Sequence, residues 1–129
     1  EKNLNSCTNM AHTAEALFAI HAGHWMSKDI EGMAEEYDEK SIMKVSFNQG
    51  AFTTLTGWAQ IRTAFEGLWA NEFSAGAECH VQGAESTPTT TVLLWSTTGG
   101  PKDCKANDTF VINPETNKWA VQSVFINHS

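Results

Sequence analysis

The sequence predicts an α+β domain, with helices packed on one face of a curved, mainly antiparallel sheet, and three observations point there. Up to Trp69, apolar residues recur mostly at three- and four-residue spacing. From Ala77 onward they alternate with polar ones, the signature of strands. The later segments are joined by short turns rich in Gly, Pro and Asn, and connections that short link antiparallel neighbours. At 129 residues the chain reads as a single domain, residues 1–129, long enough to bury roughly two-thirds of its unfolded surface in one core.

Met10, Ala14, Leu17, Phe18, Ala22 and Trp25 share one face of a first helix that runs to about Met26, with Thr8 or Asn9 as its cap. After a break at Ser27-Lys28-Asp29, Asp29 caps a short second helix whose buried side is Ile30, Met33, Ala34 and Tyr37. Glu31, Glu35, Glu36, Asp38 and Glu39 lack the spacing of a calcium loop and read as a solvated face. Met43, Val45 and Phe47 alternate through a strand over 41–47, Asn48-Gln49-Gly50 turns the chain, and 52–55 is a short strand. Trp58, Ile61, Phe65, Leu68 and Trp69 then mark a third helix ending near Asn71. Four strands follow over 77–86, 89–97, 105–113 and 118–126, the second starting after Pro88 because proline donates no ladder hydrogen bond.

Composition narrows the partners. The formal charge is −7 and the eight Lys and Arg are scattered, which argues against nucleic acid and anionic membrane. No apolar run is long enough to span a bilayer, and a chain beginning at Glu1 is expected to have lost a tag or leader. Cys7, Cys79 and Cys104 have no metal-site spacing, although one pair could bridge. Asn107-Asp108-Thr109 and Asn127-His128-Ser129 match the glycosylation pattern, yet such triplets arise often by chance, so a cytoplasmic location is favoured over a secreted one. Five Trp and seven Phe exceed what a minimal core needs, and some of them are expected to line a cavity.

Within the apolar stripe of the first helix sits His21, sharing a face with Phe18 and Trp25. It is either a satisfied core histidine or part of a site, and a second polar group facing it would decide. Alternation groups Ala106, Asp108, Phe110 and Ile112 on one face of their strand, and Trp119, Val121, Ser123 and Phe125 on one face of the next. A carboxyl at Asp108 among such neighbours must pair with a cation or stay neutral, unless it lies solvated at a hairpin end. His80 alternates with Glu78 and Gln82, a set that faces either water or a pocket, where its near-neutral titration suits proton shuttling. His12, His24 and His128 are too far apart to suggest a metal site, and there is neither a nucleophile elbow nor a phosphate loop.

The element order, with Trp25, Ser27-Lys28-Asp29-Ile30, Tyr37 and the acidic pair after it, Gly57-Trp58-Ala59-Gln60-Ile61 with Phe65, and Lys118-Trp119-Ala120-Val121, resembles the NTF2-like superfamily in its SnoaL-like and ketosteroid-isomerase-like branch. The resemblance covers nearly the whole chain. It implies a cone-shaped, barrel-like α+β fold whose sheet encloses a hydrophobic pocket under the first long helix, commonly as a dimer. Against the ketosteroid isomerases, Asp108 falls on the acid that donates to a developing oxyanion, His21 on a tyrosine and Val45 on the general base, so the base is missing. Against the scytalone dehydratases, Cys79-His80-Val81-Gln82-Gly83 resembles the strand with the pocket histidine, while Trp25 and Met26 replace a tyrosine and an aspartate.

The expectation is therefore a SnoaL-like enzyme that acts without cofactor or metal on a small, mostly apolar molecule by general acid/base isomerisation, cyclisation or dehydration. His21, His80 and Asp108 would be catalytic, and Trp25, Phe47, Trp58, Phe110 and Phe125 would form the ligand-binding walls. The alternative is a non-catalytic module of the same fold that binds a ligand or assembles as a homodimer through its sheet.

Overall fold

The computed structural model describes residues 13–129, so Cys7, Thr8, Asn9, Met10 and His12 lie outside it. The elements follow the predicted order, their boundaries mostly within one or two residues: α1 (Ala14–Ser27), α2 (Ile30–Ala34), β1 (Ile42–Phe47), β2 (Thr53–Thr56), α3 (Trp58–Ala70), β3 (Glu78–Ser86), β4 (Thr90–Thr98), β5 (Cys104–Asn113) and β6 (Lys118–His128). The first helix starts later than its apolar spacing suggested. Thr13 is extended, with ψ 160°, and its Oγ1 accepts a hydrogen bond from the Ala16 amide at 3.1 Å, capping α1 there.

The break after α1 is a left-handed cap. Lys28 has φ 56°, its amide donates to the Trp25 carbonyl and that of Asp29 to the His24 carbonyl, the paired bonds that close a helix end. Asp29 at once accepts from the Gly32 amide at 2.9 Å and starts α2, so the two helices meet at a fixed angle with no free linker. Gly57, at φ +85°, admits the chain to α3 where a Cβ would stand 3.0 Å from the Glu39 carbonyl oxygen.

The sheet is mixed, in the order β2-β1-β6-β5-β4-β3. Its pairings are antiparallel except that β6 lies parallel to β1, which brings the last strand beside the first. It is open, with β2 and β3 as edges, so the barrel-like closure expected from the resemblance does not occur. The helices cover one face, burying Leu17, Met33, Ile61, Phe65 and Leu68 against Met43, Leu93, Phe110 and Trp119.

One irregularity decides which side chains reach that interior. Val111 pairs with Val121 but Ile112 pairs with Trp119, leaving Ala120 as an extra residue in β6. Strand alternation changes phase across it. Trp119 is inside, and beyond the bulge the inward set is Gln122, Val124 and Ile126. Simple alternation from Trp119 grouped Val121, Ser123 and Phe125 with it; Phe125 in fact lies on the outer face, 39% exposed against Phe52.

Candidate active site

The site is built around a buried carboxylate. Glu36 follows α2, which stops at Ala34, so it sits in a turn and not on a helical face. That turn is tied to the start of β6: the Trp119 amide donates to the Glu36 carbonyl at 2.9 Å, and Ser41 Oγ donates to the Trp119 carbonyl at 2.7 Å. The Glu36 side chain, 1% exposed, is thereby directed inward under α1. Its Oε1 lies 2.7 Å from His21 Nδ1 and 3.0 Å from Trp119 Nε1, and its Oε2 lies 2.7 Å from His24 Nδ1. A carboxylate only accepts, so both imidazoles carry hydrogen on Nδ1. The Nε2 of His21 then has no hydrogen-bond partner among the described residues, while its ring rests edge-on against Phe110 with centroids 4.9 Å apart.

A second network ends at Asp108. Burial pushes its carboxyl up from 3.8 to about 6, against hydrogen bonds from Trp95 and Gln122 and the nearby charge of His21, which all pull it down. Trp95 Nε1 donates to Oδ1 at 2.8 Å and Gln122 Nε2 to Oδ2 at 3.0 Å. The carboxylate orients Gln122: it only accepts, so Nε2 faces Asp108 and Oε1 accepts from the Tyr37 hydroxyl. Burial and then the charges of Glu36 and Asp108 hold the Tyr37 phenol well above its usual value, so it stays a donor.

His21 and Asp108 line one cavity of about 50 Å³ between α1, α3 and β3 to β6. Phe18, Ala22, Trp25 and Met26 close it from α1, Phe65 and Leu68 from α3, and Cys79, Val81, Leu93, Trp95 and Gln122 from the sheet. That volume holds a few waters or one polar group of a ligand, well short of the roughly 300–1,000 Å³ of ordinary small-molecule sites. Met26 and Val81, 52% and 58% exposed, are the wall residues free to yield to a larger guest. Cys79 accepts from Trp25 Nε1 at 3.4 Å, and burial raises its thiol, so it is no ready nucleophile.

The other expected site residues disperse. His80 lies on the outer face of β3, half exposed, with Nε2 2.8 Å from Thr98 Oγ1, because Cys79 and Val81 take the inward positions. Phe47 is 43% exposed and stacks on His128, and Phe125 faces outward beyond the bulge. Trp58 stacks on Tyr37 behind the cavity, while Phe110 supports His21 from below without lining it. Among the expected walls, Trp25 alone is part of this cavity.

No family model matches the sequence, and no curated protein does. Solved structures match it across most of their length. A steroid delta-isomerase from Pseudomonas aeruginosa is 13% identical over 92% of this chain and 82% of that one, with a TM-score of 0.71. A protein assigned as a SnoaL-like polyketide cyclase from Shewanella denitrificans is 13% identical over 87% and 88%, TM-score 0.66. An NTF2-like protein of unknown function from Cytophaga hutchinsonii is 9% identical over 92% and 93%, TM-score 0.68. The chain has the NTF2-like fold. Identities this low carry the architecture and leave the chemistry to the side chains.

Within the NTF2-like fold, five residues outside the expected site carry the polar interior: Glu36, Tyr37, Trp95, Trp119 and Gln122. Glu36 was read as part of a wet helical face, an extrapolation that fails because α2 ends two residues earlier. His24 shares that carboxylate with His21. His128 is in β6 opposite Cys104. Cys79 and Cys104 are free thiols. Among the described residues no helix is long and apolar enough to cross a membrane, and no group of three His, Cys, Asp or Glu is placed to hold a metal ion.

Proposed function

We propose that this chain is a cofactor-independent enzyme that moves protons within a small, mostly apolar molecule, in an isomerisation, cyclisation or dehydration. The observation that carries the proposal is the pairing of two titratable groups in one apolar cavity: His21, held by Glu36, and Asp108, whose carboxyl titrates at about 6. Above that pH Asp108 is ionised and takes a proton from the substrate. His21, as an imidazolium whose Nδ1–H stays on Glu36, donates to the developing oxygen through Nε2, and Asp108 then returns its proton to the substrate at the new position. The fold is shared with an isomerase and a protein assigned as a cyclase, which accords with this reaction class.

The test is α-hydrogen exchange into deuterated water, followed by proton NMR, across a panel of small cyclic ketones, together with conversion of β,γ-unsaturated ketones to conjugated ones followed by absorbance. We expect turnover to fall tenfold per pH unit below about 6 and to drop by about 10²–10⁴ in His21→Gln and in Asp108→Asn. His80→Ala, on the outer face, should leave it unchanged. If the panel shows no exchange above that of a His21→Gln/Asp108→Asn double variant, the catalytic assignment fails.

A non-catalytic ligand-binding or dimerisation module is the second reading, and two observations favour it. The cavity of about 50 Å³ is small for a substrate. The outer sheet face carries Val92, Leu94 and Phe125, 45%, 55% and 39% exposed, with Leu94 and Phe125 aligned across Asn107. On this reading two copies meet through that face as a homodimer. Sedimentation at micromolar concentration should give a dimer and Leu94→Lys a monomer; a wild-type monomer rules the assembly out.

A further inference from the structure

A second and larger space lies on the far side of α3, a groove of about 540 Å³ between that helix and the β1–β2 hairpin. Leu68 lines both this groove and the His21–Asp108 cavity and so stands between them. The volume is in the range of small-molecule sites. Val45, Leu55, Ala64 and Leu68 supply an apolar wall, and Gly67 leaves room in it, because a Cβ built there meets nothing within 4 Å.

One end of the groove is polar and ordered. Glu72, its side chain 4% exposed, holds His128 Nε2 at 2.5 Å. The tautomer of that histidine follows from its neighbour: Asn48 Oδ1 accepts from the His128 amide at 2.8 Å, so the Asn48 amide nitrogen, 3.0 Å from Nδ1, is the donor there. Nδ1 is therefore bare, Nε2 carries the hydrogen, and the imidazole approaching Glu72 is neutral. One oxygen of the carboxylate is satisfied by a neutral donor. The other has no hydrogen bond among the described residues, and it is not among the sealed unpartnered atoms, which are Trp69 Nε1 and Ser74 Oγ. Glu72 is one of the residues that line the groove. Lys102 also lines the groove, but it is exposed and makes no ion pair with Glu72.

We infer that this groove is a binding site for a small apolar molecule bearing a protonated amine, its ammonium on the second oxygen of Glu72 and its hydrocarbon body on Val45, Leu55, Ala64 and Leu68. A nearly buried carboxylate with one oxygen left over and no cation of its own attracts a charged donor far better than a neutral one. The apolar wall then selects amines with a hydrophobic body over small hydrophilic ones.

The test uses the full chain, ¹⁵N-labelled, titrated with benzylamine and with benzyl alcohol, which is similar in size but uncharged. Benzylamine should shift the amides of Leu68, Asn71 and Glu72 saturably and bind at least about tenfold tighter than the alcohol, a difference that a single charge-assisted hydrogen bond supplies. Glu72→Gln should erase the preference, and Gly67→Leu, whose side chain enters open space, should abolish binding of both compounds. His21→Gln should leave benzylamine binding intact, which separates this site from the proposed catalytic one. Equal binding of amine and alcohol by the wild-type chain, or shifts confined to the His21–Asp108 cavity, overturns the inference without recourse to any variant.

Discussion

Glu36→Ala is expected to destabilise the protein by about 4 kcal/mol, lowering Tm by more than about 10 °C. The side chain accepts from His21, His24 and Trp119, and the His21 and Trp119 groups lie where water does not reach. Truncation leaves those donors unmet, at about 1–3 kcal/mol for each buried one. Glu36→Gln keeps the volume and one acceptor, and an imidazole can change tautomer to accept from the new amide, so its cost should be smaller, about 1–2 kcal/mol. The order Ala, then Gln, then wild type in rising stability is the diagnostic result, read by thermal or urea unfolding. A Gln variant at least as stable as the wild type would mean that the carboxylate's burial costs more than its three donors return. The same variant bears on function: once Nδ1 is no longer held by a carboxylate, the imidazolium of His21 loses its support, and turnover should fall even though nothing in contact with substrate has changed.

The second large effect is a dependence of stability on pH through Asp108. Its carboxyl stands at 3.8 unperturbed and at about 6 in the folded protein, raised by burial. The native state thus binds this proton more tightly than the unfolded chain does. Between the two values the native state holds more protons, so the slope of unfolding free energy with pH is negative. Asp108's contribution is fully favourable below about 4 and is lost as pH rises to about 6, a total of about 3 kcal/mol. Other groups titrate in the same window, so the measurement is a difference: urea unfolding of the wild type and of Asp108→Asn from pH 4 to 7. The wild-type curve minus the variant curve should decline by that amount and level off above pH 6. A flat difference would show Asp108 to be ordinarily solvated, and one that rises with pH would show its carboxylate held below the usual value; either overturns the prediction. The variant is expected to fold, since Trp95 still finds an acceptor and Gln122 can turn its amide to exchange roles with Tyr37.

What could be read from the chain without its fold was governed by local physics. The change from helical to alternating spacing marks the helices and strands, Asp29 and Gly57 mark helix starts, and the turns between later strands are short enough to make them antiparallel neighbours. The inward set of β5, with Asp108 among apolar groups, also followed from alternation, since that strand faces the helices without interruption until Ile112. His21 on the buried stripe of α1 was legible for the same reason.

The partners of those two residues were not. Glu36 is 15 positions from His21, and its turn is held by contacts with Trp119, 83 positions away. Gln122 faces Asp108 because Ala120 is an extra residue in β6, and a bulge leaves no mark in the pattern of apolar and polar residues. Alternation left His80 open between water and a pocket and grouped Phe125 with the inward Trp119, whereas His80 lies outside and the bulge turns Phe125 outward; the parallel pairing of β6 with β1 appears only when first and last strands meet. Periodicity reports which face a residue occupies relative to its near neighbours. Which carboxylate meets which imidazole depends on strand register, on the bulge and on where a five-residue helix stops, and those are set by packing between segments far apart in the chain.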